Sequence, residues 1–123
     1  MGDGPAWISS DLEVLHFNQL GYDPLPSTKM LWLVGPDGFP IITIRGQDLL
    51  SGTPMWVDMY EGAAPTTTGL LGPGSPNRGS AMTADGHTWA IWGTGLIFLR
   101  AGCYRITVSW PGGQWQIVSA VGR

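Results

Sequence analysis

The chain has 123 residues, of which 43% are hydrophobic and 12% are charged, and its formal net charge is −3 at pH 7; a chain of this length builds a single domain with its own core. Its six lysine and arginine residues are scattered, which excludes the cation cluster of a nucleic-acid-binding surface or of a basic membrane-surface patch. One cysteine and the lack of a long apolar run exclude an intrachain disulfide, a metal site built on several thiolates and a membrane-spanning helix.

The first half of the chain predicts short strands separated by glycine and proline. No window has the apolar spacing of a core-facing helix, and the segments between the 19 glycines and 10 prolines are rich in β-branched and aromatic residues. We predict strands at residues 11–17, 29–34 and 39–45. The Gly-Pro-Asp-Gly sequence at residues 35–38 is typical of a tight turn, which predicts that the second and third strands form a hairpin.

The middle of the chain predicts one strand and one long loop. In a strand at residues 54–60, alternation turns Met55, Val57 and Met59 towards the core. Residues 61–80 have no periodicity and contain repeated glycine, proline and threonine. Structureless segments of this length are uncommon in compact domains. We therefore expect residues 61–80 to be either a mobile surface loop or a loop that contacts a ligand.

The last third gives the clearest pattern. Strands are predicted at residues 88–92, 96–99, 104–110 and 115–121, and the Pro-Gly-Gly sequence at 111–113 supplies a turn between the last two. Apolar and polar residues alternate in the third of these strands, as in a sheet with one buried and one solvated face. About seven to nine short strands at this spacing predict an all-β antiparallel sandwich that occupies residues 1–123 as one domain.

The stretch that starts at Gly102 resembles the penultimate strand of immunoglobulin-like sandwiches. In that family a small residue, then a tyrosine two positions later, then a core residue two further on, form the tyrosine corner, whose hydroxyl bonds the backbone at a bend. Gly102, Tyr104 and Ile106 match these positions. Arg100 stands where an acidic residue is common, and Ile106 replaces the core cysteine. The resemblance, which covers about the last third of the chain, implies an immunoglobulin-like fold similar to that of disulfide-free domains of exported bacterial proteins.

The sequence contains no recognisable catalytic motif. Cys103 would need a base and an orienting group to act as a nucleophile, but His16 and His87 are the only imidazoles and neither stands in a protease motif. Asp85 and Gly86, which precede His87, predict a turn rather than a catalytic or metal-binding pair of Asp85 and His87. We therefore expect Cys103 to be an inert structural thiol, and we expect no catalytic site, no metal site and no cofactor.

The seven tryptophans carry the strongest functional signal, because tryptophan is enriched both at protein interfaces and on amphipathic binding surfaces. We expect Trp32 or Trp110 to lie in the core. Trp7, Trp56 and Trp115 are expected to be exposed, and these three are predicted binding residues.

Turn and loop residues complete the predicted binding surface. Thr67 lies in the 61–80 loop, and Gly112 and Gly113 lie in the turn that precedes the last strand. A rigid sandwich that presents such loops is typical of a binding module.

These observations predict a non-catalytic, extracytoplasmic interaction module whose partner is a protein or a cell-surface glycan. The low lysine and glutamate content favours export, and we expect the signal segment to be absent from this chain. Two alternatives remain open: a carbohydrate-binding sandwich that uses exposed Trp and Tyr, and an immunoglobulin-like protease inhibitor that acts through its loops.

Overall fold

Strands make up all the regular structure in the described part of the chain. The computed structural model describes residues 2–8, 14–15, 27–73, 75 and 79–122. Within them lie eleven strands: β1 (Gly2–Asp3), β2 (Ala6–Ile8), β3 (Val14–Leu15), β4 (Ser27–Val34), β5 (Ile42–Asp48), β6 (Trp56–Asp58), β7 (Gly69–Leu71), β8 (Ser80–Ala84), β9 (His87–Ile97), β10 (Gly102–Trp110) and β11 (Gly113–Val121). Because β1 and β3 have two residues each, nine strands are longer than two residues.

The strands form two sheets that enclose one core. The six-stranded sheet has the order β1-β2-β4-β9-β6, with β8 also paired to β9, and the five-stranded sheet has the order β3-β11-β10-β5-β7. All neighbouring pairs are antiparallel except β3 and β11, which are parallel. The predicted all-β antiparallel sandwich is therefore confirmed.

Period-2 alternation supplies the core from both sheets. Ile106 and Val108 of β10 face Trp32 and Val34 of β4 across the sandwich core, and all four are fully buried. Trp32 donates its Nε1 proton to Thr94 Oγ1 at 2.7 Å, so the indole is buried without an unpaired donor. The expectation that Trp32 lies in the core is confirmed.

The terminal hairpin forms as predicted. Ser109 pairs with Gln114 and Trp110 with Gly113, so residues 111–112 are the turn between β10 and β11. Cross-strand neighbours then continue in register for the full length of both strands. Gly112 has φ of 97°, a conformation that side chains rarely adopt, which explains the glycine at this turn.

Tyr104 forms the corner that its sequence context predicts. Its ring is fully buried and meets Phe98 edge to face at a centroid distance of 5.0 Å, while its hydroxyl donates to the Arg100 carbonyl at 2.9 Å. Burial raises the pKa of this phenol, and the nearby Asp48 carboxylate adds to that rise. The bond joins β10 to the segment that leaves β9.

Gly102 is required by a neighbouring carboxylate. A Cβ at Gly102 would overlap Asp48 Oδ1, because that oxygen accepts a hydrogen bond from the Cys103 amide. Ser51 donates to Asp48 Oδ2 through its hydroxyl at 2.5 Å and its amide at 3.0 Å. These bonds lower the pKa of Asp48, and the bond from the Ser51 hydroxyl has the largest effect. The predicted structural positions Gly102, Tyr104 and Ile106 thus cluster at one end of β10.

The predicted hairpin of residues 29–34 and 39–45 is wrong. β4 pairs with β2 and β9, whereas β5 pairs with β10 and β7. Residues 35–38 therefore carry the chain from one sheet to the other. Both strands alternate as hairpin strands do, so local pattern alone does not distinguish a turn within a sheet from a crossing between sheets.

Several strand boundaries differ from prediction. The strand expected at residues 39–45 is β5, at 42–48, and the strand expected at 54–60 shortens to β6, at 56–58. Residues 88–92 and 96–99 were expected to be separate strands, but β9 is continuous because Gly93 and Gly95 keep their pairing with β4. The range 61–80 was expected to be a loop, but it contains β7, which pairs with β5. Of the strand predicted at 11–17, only residues 14–15 lie within the described residues, and they form β3. No helix in the described chain is both long and apolar enough to traverse a bilayer.

Candidate functional site

The outer face of the five-stranded sheet is polar. Since Ile44 and Ile106 are buried in the core, Arg45 and Arg105 must project from the opposite face of β5 and β10. Thr107 lies on the same outward face, as the sequence alternation predicts.

Strand pairing arranges the outward side chains in rows across β5, β10 and β11. Each row joins one residue from each strand, and the rows are Gln47–Arg105–Val118, Arg45–Thr107–Gln116 and Thr43–Ser109–Gln114. Directly opposed residues in such rows lie about 4.5–5.5 Å apart at Cβ. Eight of these nine side chains are polar, which makes the surface a continuous array of hydrogen-bonding groups.

This array forms the floor of a cavity of about 760 Å³, which we call the polar groove. The segment before β7 closes one side through Thr67 and Thr68. The groove is lined by hydroxyl, amide and guanidinium side chains, together with Gly46 and Pro54; the polar ones are Thr43, Arg45, Gln47, Thr67, Thr68, Arg105, Thr107, Ser109, Gln114 and Gln116. Among the described residues, no carboxylate and no aromatic ring lines it.

The segment at one side of the groove is held in place by hydrogen bonds. The amides and carbonyls of Val57 and Thr66 pair at 2.7 and 2.9 Å. Thr66 Oγ1 accepts the Thr68 amide at 3.2 Å, and Thr68 Oγ1 accepts Arg45 Nε at 3.2 Å. The side of the groove and one of its guanidinium groups are therefore positioned together.

The two arginines of the groove carry uncompensated charge. Within the described residues neither Arg45 nor Arg105 has a carboxylate within 4.0 Å; the ion pair that is found there joins His87 Nδ1 and Asp37 Oδ2, at 2.6 Å, outside the groove. Asp48 belongs to the same strand as Arg45, but its carboxylate is buried and accepts bonds from Ser51 and Cys103. The groove is thus a cationic region on a chain whose net charge is −3.

Of the six predicted binding residues, Thr67 lies in the polar groove. Trp7 is 38% exposed, as expected, but it lies on the other sheet, where its Nε1 donates to the Gly4 carbonyl. The expectation that Trp56 is exposed is wrong, because Trp56 is half-buried on that same sheet, opposite Ile97. Trp7 is in register with Ile91 of β9 through Leu33, whereas Trp56 pairs with Ile97. The six residues between these two positions of β9 span about 20 Å, so the structure does not bring the two tryptophans together.

The expectation that Trp115 is exposed is wrong. Trp115 lies opposite Val108, packs against the core and donates its Nε1 proton to the Ala6 carbonyl at 2.9 Å. Trp115 is half-buried, because directly paired residues share a face of the sheet and its partner Val108 faces the core. Gly112 and Gly113 lie at the nearby turn, outside the lining of the groove.

Cys103 and His87 do not meet in a reactive arrangement. Cys103 is half-buried on β10, and its amide bonds Asp48. His87 pairs with Asp37, which also accepts the Thr88 amide at 2.8 Å; the His87 bond is the main cause of a lowered pKa of Asp37. Asp85 and Gly86 have φ of 52° and 75° and form the predicted turn. His16 lies outside the described residues. Those residues bring together no set of three His, Cys, Asp or Glu side chains suited to a metal ion.

A second surface, the apolar face, covers the outside of the six-stranded sheet. Trp7, Leu31 and Met82 are exposed there, and Leu33 and Ile91 lie between them in half-buried positions. The contrast with the polar groove is one of chemistry: one sheet presents hydrocarbon and aromatic groups to solvent, and the other presents hydroxyls, amides and guanidinium groups.

Sequence reasoning missed the polar groove because its rows come from distant segments. The outward position of Arg105, Thr107 and Ser109 is visible in the alternation of β10. That Arg45 lies beside them follows from pairing of β5 with β10 across a long stretch of chain, which local periodicity does not specify. Comparison of the chain with models of protein families and with curated proteins finds no match in either case.

Proposed function

We propose that this domain is a non-catalytic binding module and that its polar groove binds a carbohydrate. The observation that carries the proposal is the lining of the groove, in which hydroxyl, amide and guanidinium groups replace the apolar walls usual in ligand sites. A volume of about 760 Å³ falls within the range of small-ligand sites. Threonine hydroxyls and glutamine amides each both donate and accept hydrogen bonds, as do the hydroxyls of a sugar.

The rigid floor of the groove favours binding over catalysis. The side chains stand on three long paired strands rather than on loops, so their positions are fixed before the ligand arrives and little ordering is needed on binding. Among the described residues, those that line the groove include no carboxylate, cysteine or histidine, which are the usual proton-transfer groups and nucleophiles. This binding mode differs from the predicted stacking of sugars on exposed tryptophan.

We also propose that the sandwich is immunoglobulin-like and acts outside the cytoplasm. Support for the first point comes from the order β2-β4-β9-β8 in one sheet and β11-β10-β5 in the other, which follows the strand order of immunoglobulin constant-type domains, and from the hydroxyl of Tyr104 on the Arg100 carbonyl. Support for the second is the low content of charged residues. The protease-inhibitor alternative stays a prediction.

A groove-filling substitution tests the proposal. Thr107 lies in the centre of the groove floor, and tyrosine is well tolerated on strands; Thr107→Tyr should abolish retardation of the protein in gels that contain its polysaccharide. Leu31→Tyr, on the apolar face, is the matched control and should migrate like the wild type. The proposal fails if no polysaccharide in a panel of neutral and acidic polymers retards the wild-type protein, or if Thr107→Tyr is retarded equally.

A further inference from the structure

We infer that the polar groove selects an acidic polysaccharide, one that carries carboxylate groups among its hydroxyls, and that Arg45 and Arg105 bind those carboxylates. This inference rests on the proposed function and names the ligand class for that site. It is carried by the position of the two guanidinium groups and by the lack of acidic side chains around them.

The two arginines are diagonal neighbours on adjacent strands. Thr107 is the direct partner of Arg45, and Arg105 precedes Thr107 by two residues on the same face, which places the Cβ atoms of the two arginines about 7–8 Å apart. Long side chains at this spacing can converge on one carboxylate or hold two successive ones. Since guanidinium is planar and binds carboxylate through two parallel hydrogen bonds, this geometry favours an oxyanion over a neutral hydroxyl.

Neighbouring groups leave these guanidinium groups available to a ligand. Arg45 donates Nε to Thr68, which orients its side chain, and no other hydrogen bond or ion pair of Arg45 occurs within the described residues. Both arginines are exposed. Asp58 lies on the other sheet and Asp48 faces the interior, so neither carboxylate competes for them.

The surrounding groups indicate a sugar polymer rather than an acidic peptide. Hydroxyl and amide side chains outnumber the two guanidinium groups in the lining, and Pro54 is the one apolar side chain among the described residues that line the groove. A peptide would bring apolar side chains that this surface does not match. A polyol with a carboxylate on each residue matches both the hydroxyl-rich floor and the two charges.

Titration calorimetry with polymers that differ only in charge tests the inference. Polygalacturonate, which has one carboxylate per sugar, should bind at least about ten times more tightly than pectin whose carboxylates are methyl esters, and its affinity should fall with added salt. Arg45→Gln and Arg105→Gln should each weaken binding about five- to ten-fold, the loss of one charge-assisted contact at a solvent-accessible site. Lys29→Gln removes the same charge from the other sheet and should leave affinity unchanged.

The outcomes separate this inference from the proposed function. Equal binding of polygalacturonate and its methyl ester, with no effect of the arginine variants, would overturn acidic selectivity while leaving carbohydrate binding in place. Equally tight binding of poly-L-glutamate would also overturn it, because charge alone would then suffice. If no polysaccharide binds at all, both proposals fail. Arg105→Lys should recover less than half of the affinity lost in Arg105→Gln, since lysine restores the charge but not the two parallel hydrogen bonds of a guanidinium group. Both arginines are exposed, so thermal melting of each variant should match that of the wild type.

Discussion

Replacing Thr94 by valine removes one buried hydrogen-bond acceptor with almost no change of shape. Thr94 and Trp32 are both fully buried, and the indole Nε1 donates to Thr94 Oγ1 at 2.7 Å across the pairing of β4 and β9. Valine fills the same volume but accepts no hydrogen bond. The Trp32 N–H then stays in the core without a partner, and leaving a buried donor unpaired costs about 1–3 kcal/mol.

That cost is large enough to measure in a domain of this size. For 123 residues the entropy of unfolding is about 0.26 kcal/mol/K, so the expected loss lowers Tm by about 4–12 °C. Urea denaturation followed by circular dichroism measures the free energy of unfolding, and an unchanged m-value shows that the unfolded state is the same. Thr94→Ser is the matched control, because it keeps the hydroxyl and loses one methyl group.

A double-mutant cycle isolates the hydrogen bond from other effects of the substitution. Trp32→Phe removes the donor, so Thr94→Val in that background should cost less than about 0.5 kcal/mol, and the coupling free energy should be about 1–2 kcal/mol. If Thr94→Val costs the same with and without the indole, the bond does not stabilise the fold and the reasoning is refuted.

Four further predictions concern the end of β10 and its two neighbouring strands, β5 and β11. Tyr104→Phe should lower the free energy of unfolding by about 0.5–1.5 kcal/mol in urea denaturation. Because folding raises the pKa of the phenol, its contribution to wild-type stability is complete below about pH 10 and is lost above it. The stability of the variant should therefore decrease less than that of the wild type at high pH. Gly102→Ala should cost about 1–3 kcal/mol by its clash with Asp48, and less when Asp48 is replaced by alanine; an unchanged Tm would contradict this. Ser119→Ala should keep stability or raise it by up to about 1 kcal/mol by calorimetry, since the Ser119 hydroxyl is buried and unpartnered among the described residues. Folding lowers the pKa of Asp48, so its contribution to stability is complete above about pH 4 and is lost at lower pH. Asp48→Asn should therefore lose less Tm than the wild type as the pH falls below about 4. An equal decrease of Tm in both proteins would show that Asp48 does not cause the acid sensitivity.

The sequence predicts best where structure is set by neighbours along the chain. The β10–β11 hairpin combines strict alternation with a Pro-Gly-Gly turn, and both its register and its buried face follow from these features. Met55, Val57 and Met59, in β6 and directly beside it, are buried as the same alternation predicts. Each of these features depends on residues a few positions apart.

Prediction fails where the partner of a strand is distant. The Gly-Pro-Asp-Gly segment at 35–38 has the composition of a hairpin turn, yet it crosses between sheets because β4 and β5 find partners elsewhere. Residues 93–95 were predicted to separate two strands, but Gly93 and Gly95 both pair with β4, and Gly95 also pairs with β6, so β9 stays extended through them. Long-range pairing overrides the local tendency of glycine to end a strand.

The candidate site was only partly predictable for the same reason. Tryptophan count pointed to aromatic binding surfaces, but Trp115 packs against the core. Thr67 was included for its loop and proves to lie beside β5. The charge of the groove arises when Arg45 and Arg105, 60 residues apart in the sequence, become diagonal neighbours. Scattered cations along a chain therefore do not exclude a cationic site on the folded domain.

Mapping of backbone amide shifts by ¹⁵N–¹H NMR during titration with oligogalacturonate tests most directly whether function resides in the polar groove. We expect the largest shifts on Arg45, Arg105 and Thr107, whose side chains line the groove, and we expect these shifts to saturate together. Shifts centred instead on Leu31 and Met82, on the apolar face of the other sheet, would show that the polar groove is not the binding site.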